Sequence, residues 1–306
     1  MSNIPDRVEG ATIVIVGASS GFGRGAALEL AKRGAKVVVA ARRSELLDEL
    51  VHEVRDAGGH ATAVALDVGE PDAVERLAAQ AVEEHGRIDV WVNNVGVGAL
   101  GYFWEIPVEV HARVVDVNLK GLIYGAHAAM KQFLRQDGGT LVNVGSIDSE
   151  IPLAMQNTYA ASKAAVLSLS RTLNEELRLA GRSDAIHVAT IMPWAVDTPW
   201  WDHAANYSGH TARMAMMDDP ELVVEAIVKA CTHPEEEMPV GIKAKAFDAS
   251  HHLLPDLTER MSATVAKRES DKGAEIGDTR GSLFEPMHKG RTMDGGVRER
   301  MKREDA

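Results

Sequence analysis

Short apolar runs alternate with longer stretches of helical periodicity along most of the chain. Ala11–Val16 (ATIVIV) predicts a strand buried on both faces. Lys36–Ala41, Ala61–Leu66, Ile88–Val92, Thr140–Val144 and Ile186–Ile191 repeat the pattern. Between them the spacing predicts helices over Gly21–Arg33, Ser44–Ala57, Pro71–His85, Val108–Arg135 and Thr158–Ala180. Pro71 stands in the first turn of its helix, where a missing N–H leaves nothing unpaired. Buried strands separated by helix-length segments predict an α/β fold of Rossmann type, a doubly wound parallel sheet with helices on both faces. No second series restarts after Ile191, so one such domain is expected over residues 1–241, with 242–306 as a C-terminal extension.

After Pro193 the pattern changes. Residues 194–218 are irregular and rich in aromatic, Met and His side chains, as in a lid over a substrate site. Asp219–Cys231 predicts a helix, Met238–Gly241 a last edge strand, and Ser250–Ala266 a further helix. Beyond Lys267 the chain is polar, with interleaved charges, and cannot easily build a core of its own. It is expected either to be mobile or to be ordered by packing on another surface, such as a neighbouring subunit.

Charge narrows the function classes. Among 306 residues, 33 Lys and Arg stand against 45 Asp and Glu, a net −12 that argues against nucleic acid or an anionic membrane as partner. The single cysteine, Cys231, excludes an internal disulfide and a cysteine-cluster metal site. MSNIPDRVEG lacks the basic flank and apolar stretch of a secretory signal, and no apolar run approaches the ~20 residues of a membrane helix. A cytoplasmic protein is expected.

The candidate chemistry begins where the first predicted strand runs into VGASSGFGRG. Gly17, Gly21 and Gly23, with Ser19, Ser20 and Phe22 between them, give a sharp turn that admits a pyrophosphate to the backbone at a helix N-terminus. The spacing is GxxxGxG rather than the GxGxxG of many dinucleotide sites. No acid ends the second strand to hold a ribose 2′-hydroxyl; Arg42 and Arg43 stand there instead, which favours the 2′-phosphate of NADP(H). Tyr159 and Lys163, four apart in a helical pattern, share one face. There an ammonium would lower the phenol's pKa toward acid–base use. Ser146 follows a buried strand, where its hydroxyl would reach a carbonyl oxygen beside the tyrosine.

With Asp67–Val68, NNVG at Asn93–Gly96, Asn118 and a Pro…Thr loop at Pro193–Thr198, these motifs stand in an order that resembles the short-chain dehydrogenase/reductase superfamily, in its NADP-preferring branch. The resemblance implies that Tyr159 is the general acid/base and that Lys163 holds the nicotinamide ribose. It implies that Ser146 orients the substrate oxygen and that Asn118 anchors a water of a proton relay. Asp67 would bond the adenine, with Val68 beside the ring. Asn94 and Gly96 would border the cofactor, and Pro193, Val196 and Thr198 would hold its carboxamide end. A homodimer or homotetramer through the two long helices is also implied. Three positions depart from the pattern: Val95 for alanine, Trp194 for the glycine after the proline, and Gly145 for a second serine.

The substrate side is less determined. Trp194, Trp200, Trp201, Tyr207, Met214, Met216 and Met217 either line an apolar pocket or pack the lid onto its surroundings. Glu150, Pro152, Met155 and Gln156 are expected to border the pocket. His203 and His210 lack partners in a ligand pattern, so no metal site is expected. Lys243, Lys245, His251 and His252 read as a solvated face. The expected activity is NADPH-dependent reduction of a carbonyl, or its reverse, on a bulky apolar or aromatic substrate. The alternatives are an NADPH-binding regulatory protein without turnover and an enzyme of isomerisation or dehydration.

Overall fold

β-Branched side chains fill the centre of the sheet, as their preference for pleated, packed surfaces requires. The computed structural model describes residues 8–253 and 255–305. Residues 1–7, part of the segment read against a secretory signal, lie outside them, as does the side chain of His252. The strands are β1 (Thr12–Val16), β2 (Lys36–Ala41), β3 (His60–Ala65), β4 (Val90–Asn93), β5 (Ala99–Leu100), β6 (Gly139–Val144), β7 (Ile186–Pro193), β8 (Ala205–Asn206) and β9 (Glu237–Val240). Seven of them form one parallel sheet in the order β3-β2-β1-β4-β6-β7-β9, while β5 and β8 pair separately.

The helices are α1 (Gly21–Lys32), α2 (Ser44–Asp56), α3 (Pro71–His85), α4 (Val108–Val115), α5 (Gly121–Gln136), α6 (Asn157–Leu179), α7 (Trp200–His203), α8 (Glu221–Thr232), α9 (Gly241–Leu253), α10 (Pro255–Ser270) and α11 (Val297–Glu304). Alternation along β1 divides the core between the two faces of the sheet. Ile13 and Ile15 pack with Leu30, Leu47, Leu50 and Ile227 from α1, α2 and α8. Val14 and Val16 pack with Leu77, Trp91, Phe133, Leu141 and Leu177 on the other face. The chain reverses its winding between β1 and β4, which opens a crevice at their carboxyl ends. Among the described residues, no helix is long and apolar enough to cross a membrane.

Many element ends shift by one or two residues from the expected ranges, and some differences have a structural cause or change an element. The third strand starts one residue earlier, at His60. β4 starts at Val90, because the Gln136 amide takes both backbone groups of Ile88 (3.3 and 2.5 Å). The helix expected over Val108–Arg135 contains a π-turn at Asp116–Lys120 between α4 and α5. The helix expected at Ser250–Ala266 is two helices, α9 starting at Gly241 and α10 at Pro255.

The polar tail finds its surface on its own chain. Leu283 is fully buried in the second core cluster, and Val297 is buried with Trp201, Met214 and Met217. Asp197 accepts the amides of Val297 (2.8 Å) and Arg298 (2.9 Å), placing a carboxylate at the start of α11 where the helix dipole favours it. The fully buried Arg213 side chain bonds Glu304 (2.5 Å) and Asp305 (2.6 Å). Residues 282–292 thereby form a strap across the mouth of the crevice.

Candidate active site

The crevice begins at the glycine turn. Gly17 has φ +93°, and a Cβ there would lie 2.9 Å from the Val95 backbone and side chain. The extra bulk of Val95 is therefore packed against the turn. Gly23 does not line the crevice but supports it from below, since a Cβ on it would meet the Gly17 carbonyl at 2.2 Å. Asn94 Nδ2 donates to that carbonyl (2.8 Å), while its Oδ1 is buried with no partner among the described residues. An orphaned acceptor, a turn closed to side chains and helix N-terminal amides fit a dinucleotide. Ser19, Ser20, Gly21, Phe22, Asn94 and Gly96 all line this space.

Arg42 and Arg43 also line it, but the strap engages them. Arg42 donates to the carbonyls of Ser282 (2.5 Å), Leu283 (3.2 Å) and Phe284 (3.3 Å). Arg43 is buried against Ser19 and Ser20 and donates to the carbonyls of Met287, Lys289 and Gly290. The Gly21 amide, at the start of α1, donates to Thr292 O (3.0 Å). Asp67 lines the crevice with Val68, and its carboxylate takes Gly69 N (2.9 Å) and Arg113 (2.5 Å). Burial would raise the Asp67 pKa, but these bonds hold it below the usual value.

At the other end, β6 delivers Ser146, and α6 delivers Tyr159 and Lys163 into one cavity, with Pro193, Val196 and Thr198 bordering it from the end of β7 onward. Ser146 Oγ accepts the Asp148 amide (3.1 Å), and the serine hydroxyl bonds the Tyr159 phenol. Lys163 Nζ donates to Val144 O (2.7 Å) and stands 5.7 Å from the Tyr159 ring centre. Burial lowers its pKa to about 8. The phenol is not depressed as the helical spacing suggested. Burial pushes it up, the Asp148 charge adds to this, and the Ser146 bond opposes it.

Asn118 stays off the cavity surface. Its side chain bonds Val97 N (2.8 Å), Val97 O (2.9 Å) and Ser162 Oγ (3.0 Å), tying the π-turn to α6. Extra-residue turns of this kind often re-aim one side chain at a functional site.

Both readings of the lid hold for different residues. Trp194, Trp200, Trp201, His203 and Met214 border the cavity; Met217 packs inward, and Met216 is exposed. Trp200 lies against the Tyr159 ring (5.0 Å), and Trp194 against Phe247 (4.5 Å). His203 and His210 contact the carbonyls of Lys289 (2.9 Å) and Gly273 (3.0 Å), so both hold the tail. Of the pocket residues expected between serine and tyrosine, only Gln156 lines it. Glu150 turns away to pair with Arg171, Pro152 is exposed, and Met155 is half-buried outside the cavity. The proposed solvated face contains an ion pair, Lys243 with Asp218 (2.5 Å). The sequence reading passed over Asp148, which lines the cavity and is buried; an acid two residues past the serine was its only signal.

A crevice at the switch point of a parallel sheet, ending in a serine, a tyrosine and a lysine, defines a dinucleotide-dependent oxidoreductase class. The family described as short chain dehydrogenase matches residues 11–207, and the chain belongs to the short-chain dehydrogenase/reductase family. The uncharacterized oxidoreductase YxnA of Bacillus subtilis (strain 168) is 38% identical over 256 residues, 83% of this chain and 71% of its own. A short chain dehydrogenase/reductase from Burkholderia phymatum, solved with NAD, is 34% identical (TM-score 0.60; 62% of this chain, 68% of that one). An alcohol dehydrogenase from the archaeon Thermococcus sibiricus, complexed with 5-hydroxy-NADP, is 26% identical (TM-score 0.64; 76% and 96%). The solved structures similar to this chain thus include complexes with both kinds of dinucleotide.

Proposed function

We propose that the chain interconverts a carbonyl and an alcohol with NADP(H), on a bulky and largely apolar substrate. The observation that carries this reading is the convergence of Ser146, Tyr159 and Lys163 in one buried cavity continuous with the glycine turn. When bound, NADP(H) supplies or accepts the hydride. The Asp148 amide occupies a lone pair of Ser146 Oγ, leaving the serine proton to be donated to a substrate oxygen. Tyr159, kept protonated by burial, gives its proton to that oxygen in reduction and takes it back in oxidation. Lys163, fixed on Val144 O, holds the cofactor ribose and returns a proton to the phenol. Asn118 positions α6 through Ser162. Arg42 and Arg43, with no acid at the end of β2, support a 2′-phosphate. A homo-oligomer built on α5 and α6 belongs to the same reading.

The strap over Arg42, Arg43 and the Gly21 amide favours one second reading, a regulatory NADPH-binding protein without turnover. NADPH and NADH oxidation against a panel of aldehydes, ketones and quinones tests both. A catalyst consumes NADPH in preference to NADH. Tyr159→Phe is expected to lower its turnover by about 100-fold or more while NADPH binding persists. Tight NADPH binding with no consumption of either cofactor would reject the enzyme.

A further inference from the structure

One wall of the cavity holds an acid that the proton-transfer scheme does not use. Asp148 sits on a short 3-10 turn, Ile147–Ser149, fixed by its amide on Ser146 Oγ (3.1 Å) and by the Ser146 amide on Ser149 Oγ (3.3 Å). Asp148 is 7% exposed, and among the described residues no donor hydrogen-bonds its carboxylate. Buried carboxyl groups are otherwise paired, so an open one lining a cavity points to a ligand that pairs with it. Its charge acts on both Tyr159 and Lys163. Trp194 borders the same cavity, and its indole N–H is buried with no partner among the described residues. Gln156 adds a buried side-chain amide with no hydrogen bond among the described residues. The neighbouring surface is apolar: Ile151, Leu153, Met214 and Phe247.

We infer that Asp148, Trp194 and Gln156 form a subsite for a hydroxyl group next to the reacting carbonyl, so that the substrates are α-hydroxyketones with an apolar substituent. Above about pH 7, where Asp148 is ionised, the group that fits must donate to a carboxylate and accept from an indole N–H. A hydroxyl does both; an ammonium has no lone pair to offer, and an ether has no proton. The Asp148 amide bonds the serine proposed to hold the carbonyl oxygen, so the second group belongs within a bond or two of the carbonyl carbon. In reduction that carbon gains hydride from NADPH and its oxygen gains the Tyr159 proton. The neighbouring C–OH is unchanged, and the product is a vicinal diol.

This inference rests on the oxidoreductase reading above, and its test separates the two. Values of kcat/KM with NADPH would be compared for acetophenone and its 2-hydroxy, 2-methoxy and 2-amino derivatives; the methoxy compound controls for carbonyl activation. The hydroxyketone is expected to exceed the parent and methoxy compounds by about 10-fold or more. Asp148→Ala should collapse that ratio, Asp148→Asn, which still offers a carbonyl acceptor, should restore part of it, and Trp194→Phe should reduce it independently. If parent and hydroxyketone are reduced with a ratio that neither Asp148→Ala nor Trp194→Phe alters, the subsite is wrong and the oxidoreductase reading stands. Preference for the amine overturns the hydroxyl assignment in the same way. No NADPH consumption with any carbonyl overturns both.

Discussion

Asp148, Tyr159 and Lys163 occupy one buried volume, where the Asp148 charge acts on both Tyr159 and Lys163, and Lys163 acts in turn on Asp148. Burial raises Asp148 to about 7, with Lys163 opposing the shift. An unfolded aspartate ionises near 3.9, so between these values the unfolded chain has released a proton that the folded chain retains. Asp148 therefore makes stability fall as pH rises through about 7. Asp148→Asn should remove that slope, so its Tm relative to the natural chain should be higher at pH 8 than at pH 5; thermal melts at the two pH values check it. A second prediction concerns Gly98, where a Cβ would lie 2.3 Å from the Trp200 ring. Gly98→Ala should push Trp200 off Tyr159 and lower kcat, with tryptophan fluorescence reporting the displacement. That Tyr159 and Lys163 share one cavity was legible in the sequence because a helix fixes a spacing of four. Asp148 and Glu150 were not sorted, because a short turn has no period to say which acid faces inward.

At the level of elements, apolar runs marked all seven strands of the main sheet; the five inner strands are buried on both faces and carry an almost uninterrupted signal, while the edge strands β3 and β9 are only partly buried. The strap carries almost none. Its buried anchor, Leu283, is isolated in polar sequence, and the groups with which it holds Arg42 and Arg43 are backbone carbonyls, which every residue possesses. The π-turn was missed for a related reason: one extra residue in a helix leaves the surrounding apolar pattern intact, and only the contact of Asn118 with Val97 and Ser162 marks it. Strap carbonyls and a 2′-phosphate would use the same guanidinium donors. NADPH binding is accordingly expected to increase amide hydrogen exchange over residues 282–292, and NADH to do so less. Hydrogen-exchange mass spectrometry with each cofactor measures the difference.

Over the whole molecule, the tail connects regions far apart in sequence. It joins the ends of β2 and α1 to the lid through Leu283, Thr292 and Val297, and its end is clamped on Arg213. Full burial of one such leucine or valine contributes about 1.5–3 kcal/mol. Leu283→Ala should lower the midpoint of denaturant unfolding without dividing the transition, because Leu283 belongs to the same core cluster as β1, β4 and α5. Circular dichroism in urea tests this. The strap also sets an order in time. Arg42 and its partner Leu283 O are separated by 241 positions, and chains grow at about 5–20 residues per second. For roughly 10–50 seconds of synthesis, Arg42 exists without the segment that later engages it. Until residues 282–292 leave the ribosome, the guanidinium groups of Arg42 and Arg43 lack the carbonyls that engage them in the finished fold, so the strap is the last part of the crevice to be supplied.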